Sequence, residues 1–207
     1  MEPSIRVTKE FSATVIIDNR ILSNKYDLCW SVTLVTEDFY EQKIAYDRIK
    51  FLTDSMLEGT IFTKYNNPLL KKIVQNCNNT YCQLHDQPYD ATIVDYIFLK
   101  GQSLLEGKAL IDSVSLSSWQ GREIEFTSDS ERDYSEYNKC KWTKGKTPWY
   151  LRSDIFVGDY PENKELEIPV WDDIGLGWKC PPEEDAEIIH INKFRGKVIK
   201  GGLSGNK

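Results

Sequence analysis

Two histidines, His85 and His190, are all that this 207-residue chain contains, and their scarcity narrows the available chemistry. Zinc sites built on imidazole need two or three converging histidines. Serine hydrolases of the α/β type need a G-x-S-x-G elbow, which the chain also lacks. Cysteine is sparse as well. Its five copies, Cys29, Cys77, Cys82, Cys140 and Cys180, are odd in number and scattered, which excludes a disulfide framework and fits reduced thiols. No apolar run approaches eighteen residues, and Met1-Glu2-Pro3 leads into polar sequence. Neither a membrane span nor a signal peptide is therefore expected, and the cytoplasm is the expected location. The Asn78-Asn79-Thr80 sequon then carries no glycan. A formal charge of -6 and a pI near 5.1 argue against a nucleic-acid partner, because phosphate contacts need clustered Lys and Arg.

What is present begins with apolar patterning, and 40% hydrophobic residues suffice for a core. Phe11–Ile21 and Leu28–Phe39 are β-branched and aromatic runs flanking a turn-rich segment, Ser23–Asp27, which predicts a hairpin. Tyr46, Ile49, Phe51, Leu52, Met56 and Leu57 fall at helical spacing ahead of Gly59, and Asn67-Pro68 opens a shorter helical run through Val74. Pro88 and the N-cap candidate Asp90 introduce a helix carrying Ile93, Val94, Ile97, Phe98, Leu104 and Leu105, which ends at Gly107. A strand follows, with Leu110, Asp112, Val114, Leu116 and Ser118 on one face. Gln120-Gly121 then turns it into a second strand through Ile124 and Phe126.

The expected fold class is thus α+β, an antiparallel sheet from two β-hairpins with two helices on one face. Phe11-Ser12-Ala13, Tyr46–Lys50, Pro88–Ile97 and Val114–Ser118, in that order, resemble motifs of the tunnelling-fold family of 6-pyruvoyl-tetrahydropterin and 6-carboxy-tetrahydropterin synthases. The resemblance covers about the first two thirds of the chain and implies a curved sheet that oligomerises into a barrel. It also implies a zinc site, whose histidine positions fall near Thr14 or Val15, at Asn24 and at Tyr26. The ring-anchoring glutamate falls at Ser118, and the catalytic Asp-His pair falls around Leu57, Glu58 and Gly59. Cys29 lies too late to match the family's catalytic cysteine. None of these residues supplies the family's chemistry, so the resemblance implies a protein without zinc catalysis.

Polar residues nearest to such a pocket are Asp90, Gln120, Arg122 and Glu123. Cys77, Cys82 and His85 also lie close together and are residue types that zinc prefers. Their spacing is wrong for paired-cysteine zinc motifs, and a fourth ligand would have to come from Cys140, Cys180 or His190. Buried thiols and a loop histidine are the expected reading, and no cofactor is expected.

The organisation expected is a tunnelling-fold-like domain over 1–130, an aromatic and acidic arm over 131–192, and a basic flexible tail over 193–207. Trp142, Trp149, Trp171 and Trp178 stand in the arm among Pro148, Pro161 and Pro169, a composition suited to wrapping over a core or a partner. Glu167–Trp171 reads as an extended segment that adds to a sheet edge, with Ile168, Val170 and Trp171 covering it. Asp172-Asp173 reads as a polar turn. Three functions follow from these features. The first is a degenerate tunnelling-fold module for binding or assembly, expected as a homo-oligomer with a protein partner through the arm. The second is an enzyme or sensor that binds a purine- or pterin-like ligand at a subunit interface. The third is a structural component of a phage or other large particle.

Overall fold

The computed structural model describes residues 4–74, 80–121, 124–139, 146–158 and 170–180. Two long strands organise it. β1 (Ser4–Ile17) and β2 (Arg20–Leu34) pair antiparallel from Ser4↔Thr33 to Ile17↔Arg20. β2 alternates throughout and β1 does so up to Val15, after which Ile16 is buried as well: Val7, Phe11, Ala13 and Val15 point into the core with Tyr26, Leu28, Trp30 and Val32, while Thr8, Glu10 and Ser12 point away from it. The turn is the pair Asp18-Asn19, with Asp18 in the left-handed region (φ 53). The turn-rich segment Ser23–Asp27 is not a turn. It lies inside β2, because Leu22, Asn24, Tyr26 and Leu28 continue the inward period of two.

Helix α1 (Phe39–Phe51) starts where Asp38 accepts from the amides of Tyr40 and Glu41, a side-chain cap for the free N–H groups of the first turn. It continues into a π-helical turn, Leu52–Leu57, and stops before Gly59 (φ 71). Short strands β3 (Ile61–Lys64) and β4 (Tyr81–Leu84) flank α2 (Pro68–Val74). β3 runs parallel to β1 through Thr14↔Ile61 to Ile16↔Thr63, and β4 runs parallel to β3. These two strands were absent from the expected order, since four-residue apolar runs carry too little period to be read alone.

Helix α3 (Asp90–Leu105) follows Pro88, with Tyr89 rather than Asp90 at the cap position. It ends where Glu106 (φ 48) and Gly107 (φ 79) turn left-handed. Gly101 lets α3 approach the sheet: a Cβ there would stand 2.4 Å from Cδ1 of Ile111 and 2.7 Å from Cζ3 of Trp30. β5 (Ala109–Ser118) and β6 (Glu125–Asp129) complete a mixed α+β sheet in the order β4-β3-β1-β2-β5-β6. The pairing of β2 with β5 jumps from Ser31↔Ser113 to Val32↔Ile111. This bulge at Asp112 corrects the expected facing of β5. Ala109 and Ile111 turn inward with Val114, Leu116 and Ser118, while Leu110 and Asp112 turn out.

The arm packs on the helices. Tyr134, Tyr137, Trp149 and Tyr150 meet Tyr96 and Phe98 in stacked and edge contacts, and Trp149 and Tyr150 are fully buried. Trp171 opens a 3-10 turn (Trp171–Ile174) and packs edge-on against Phe51 of α1, so it covers a helix and not a sheet edge. Val170 is exposed, and Ile168 lies outside the described residues. No helix among the described residues is long and apolar enough to cross a membrane.

Candidate functional site

At one end of the sheet, β2, the end of β5, the turn after it and the first residue of α3 converge on a small polar nest. Alternation carries Asn24 and Tyr26 to the core face, and Ser118 is placed beside them by the pairing Tyr26↔Ser118. Ser118 Oγ donates to Asp90 Oδ2 at 2.5 Å and accepts from the Gly121 amide at 3.0 Å. Asn24 Oδ1 accepts from the amides of Lys25 (3.0 Å) and Gln120 (3.3 Å). Gln120 in turn donates from Nε2 to the Ser23 carbonyl. Gly121 is required by closeness: a Cβ there would lie 2.9 Å from Asp90 Oδ2.

The hydroxyl of Tyr26, like the Trp30 indole N–H, is a buried polar atom left unsatisfied. Its side chain is fully buried, and Oη has no hydrogen-bond partner. Buried polar groups are nearly always paired, so an orphaned phenol marks a place that invites a polar visitor. Burial pushes its pKa well above the ordinary tyrosine range, the nearby Asp90 charge adds to this, and the Asn24 side chain opposes it. Burial also raises Asp90, against the opposing hydrogen bond from Ser118. Next to the nest, where Ser12, Ser23 and Lys25 face away from the core, lies an open hollow of about 390 Å³ whose lining also includes Asn24, Trp119 and Gln120. Trp119 is 63% exposed, with the Lys25 ammonium 5.5 Å from its ring centre. Lys25 is also ion-paired with Glu10. The arrangement offers an exposed aromatic face, amide and hydroxyl groups, and one half-buried carboxyl.

Of the expected pocket residues, Asp90 and Gln120 meet here, and Arg122 and Glu123 lie outside the described residues. Asn24, Tyr26 and Ser118 are the members that direct reading undervalued. Their signal was the inward alternation of β2, masked by the turn-like composition of Ser23–Asp27. The positions to which the resemblance assigns zinc ligands do not fit a metal. Val15 has no donor atom, Asn24 Oδ1 is already committed to two amides, and Tyr26 is a buried phenol whose acidity is suppressed. Cys82 is buried in β4, and His85 bonds through its amide and Nδ1 to the Tyr96 hydroxyl at 2.8 and 2.9 Å. Cys77 lies outside the described residues. No group of three metal-binding side chains occurs among the described residues.

No family model matches the chain, and no curated protein matches it. Among solved structures, it is similar to an uncharacterized protein from Wolinella succinogenes, with a TM-score of 0.47 and 9% identity over 63% of this chain and 99% of that one. That likeness is too distant to bear on family or function.

Proposed function

We propose that this chain is a binding or assembly module of tunnelling-fold type that has no zinc chemistry and closes edge to edge into a homo-oligomer. The observation that carries the reading is the open state of the sheet. Its non-core face is a polar lattice in which Arg6 and Thr8 reach Cys29, Ser31 and Thr33 donate to Asp112, and Ser115 meets Thr127. β1 pairs with β3 only over Thr14–Ile16, and Ser12 bonds the Gly59 amide and the Glu58 carboxylate, which leaves Ser4–Phe11 without a strand on that side among the described residues, and β6 ends the sheet. Unpaired edges invite pairing and are ordinarily closed or covered. A polar face suits the lining of a barrel. Light scattering on the full chain tests this: a closed multimer of defined mass is expected, and a monomer at high micromolar concentration overturns it.

A second reading is favoured by the orphaned Tyr26 hydroxyl beside Asp90. The hollow under Trp119 takes a planar purine- or pterin-like ring, with Lys25 and Gln120 as its polar contacts. Quenching of tryptophan fluorescence by such a ring, lost in Trp119→Ala and weakened in Gln120→Ala, supports it. No quenching at millimolar ligand removes it.

A further inference from the structure

The best-built polar contact outside that nest joins the arm to the helices. Arg48 of α1 is 1% exposed. Its guanidinium lies between two indoles, 4.3 Å from the Trp171 ring centre and 4.0 Å from that of Trp178. Nε donates to the Leu176 carbonyl at 3.0 Å, and Nη1 donates to the Leu104 carbonyl and to Glu106 Oε2, both at 2.9 Å. Trp178 Nε1 donates to the same Glu106 carboxylate, and Trp171 Nε1 donates to the Ser153 carbonyl at 2.6 Å. Tyr40 reaches the Gly177 carbonyl at 3.3 Å. Every receiving group in this list belongs to α1, the end of α3 or the Ser153 loop, and every docked group belongs to residues 171–178.

This is the anatomy of a receptor and its ligand. A desolvated cation stacked by two aromatic faces is a strong recognition element. The ligand is compact in its own right. Asp173 Oδ2 accepts from the Val170 amide, and the Gly175 amide bonds the Asp172 carbonyl. Gly177 sits so close to Asp172 that a Cβ would fall 1.7 Å from its Oδ1. Eleven residues, 159–169, connect this strap to Gly158, enough covalent chain to span at most about 40 Å. The contacts are the same whichever copy supplies the strap, the condition under which an element exchanges between protomers.

We propose that the Arg48 pocket is a docking site for a tryptophan-bearing segment, filled in cis by residues 171–178 and able to take the same segment from a second copy. The occupant is defined by its chemistry: two tryptophans seven positions apart around an acidic turn closed by glycine. The inference bears on how copies of the chain engage one another, as the assembly reading requires, but it stands on the Arg48 contacts and not on edge pairing.

The test uses full-length protein and a dye-labelled peptide of residues 170–179, followed by fluorescence anisotropy. The double variant Trp171→Ala/Trp178→Ala removes the two indoles stacked on Arg48 and keeps Arg48 itself, and Gly175→Val strains the left-handed turn of the strap (φ 72) while leaving the receiving residues intact. Both are expected to bind the peptide saturably, at least tenfold more tightly than the wild-type chain, whose pocket is already filled. Arg48→Met introduced into either background is expected to abolish binding. Absence of binding to both strap variants overturns the proposal, as does equal binding with and without Arg48. Edge closure is read from the mass of the strap variants, which cannot exchange straps, so the two readings fail separately.

Discussion

Two buried cations fasten the aromatic arm, and they do so by different means. Arg48 keeps its charge with a carboxylate, two carbonyls and two indole faces around it. Burial lowers its pKa and Glu106 opposes the shift, but a guanidinium remains protonated at any ordinary pH. Lys100, in the middle of α3 and fully buried, donates Nζ to the carbonyls of Arg152 (2.7 Å) and Asp154 (2.9 Å), with the Asp154 carboxylate 3.7 Å away. Burial drives that amine down to about 7, against the pull of Asp154 and with the added repulsion of Arg152. The contrast shows that a cation kept by stacking and a short carboxylate contact is a fixed fastener. One held mainly by carbonyl dipoles becomes a titrating fastener.

The largest effect that would break this comparison comes from Arg48→Met. It removes three hydrogen bonds from a buried guanidinium, to two carbonyls and to the solvent-exposed Glu106, and a loss of about 3 kcal/mol is expected in urea unfolding. A loss below about 1 kcal/mol would show that the indoles alone hold the strap. The next test separates the two cations by pH. Because the folded pKa of Lys100 lies below its unfolded value near 10.4, the unfolded chain holds more protons between about pH 7 and 10. Stability from this group therefore rises with pH across that window, with a slope of up to about 1.4 kcal/mol per pH unit. Subtracting the unfolding curves of Lys100→Met from those of the wild-type chain isolates that slope, and parallel curves from pH 7.5 to 9.5 would sink the assignment.

Asp95 extends the comparison to a buried anion. It accepts from Ser128 (2.6 Å) and Tyr137 (2.5 Å) and pairs with Arg132 at 2.8 Å. Asp95→Asn is expected to cost about 2 kcal/mol, since hydrogen bonds to a charged group are worth more than neutral ones. Thermal melts at neutral pH measure it. The smallest effect belongs to the group with no fastening role. Tyr26→Phe removes a hydroxyl that has no partner, so stability should stay within about 1 kcal/mol of wild type or rise. A clear loss would mean that the phenol is bonded in solution, and the second functional reading would lose the orphan that supports it.

The sequence by itself determined the elements with long, regular period. The apolar spacing from Ile93 to Leu105, closed by Gly107, is visible without neighbours, as are the β5–β6 hairpin at Gln120-Gly121 and the helical content around Tyr46–Leu57. The α+β class follows from their order. Tertiary structure decided whatever depends on which chains lie side by side. Composition pointed to Ser23–Asp27 as a turn, whereas the chain reverses at Asp18-Asn19 and the inward run from Leu22 to Leu28 continues through β2. The bulge at Asp112 has no local signature, because it exists to bring Ile111 and Val114 to one face against β2. β3 and β4 needed the edge of β1 to become strands at all. Asn24, Tyr26, Asp90, Ser118 and Gln120 are spread over nearly a hundred positions, and only the stacking of β2, β5 and α3 makes them neighbours. Local period records which side of an element faces the core; it does not record what waits there, because that is set by contacts between residues far apart in the chain. For the same reason, Arg48 and Lys100 read in sequence as ordinary surface cations, and burial beneath the arm makes them its anchors.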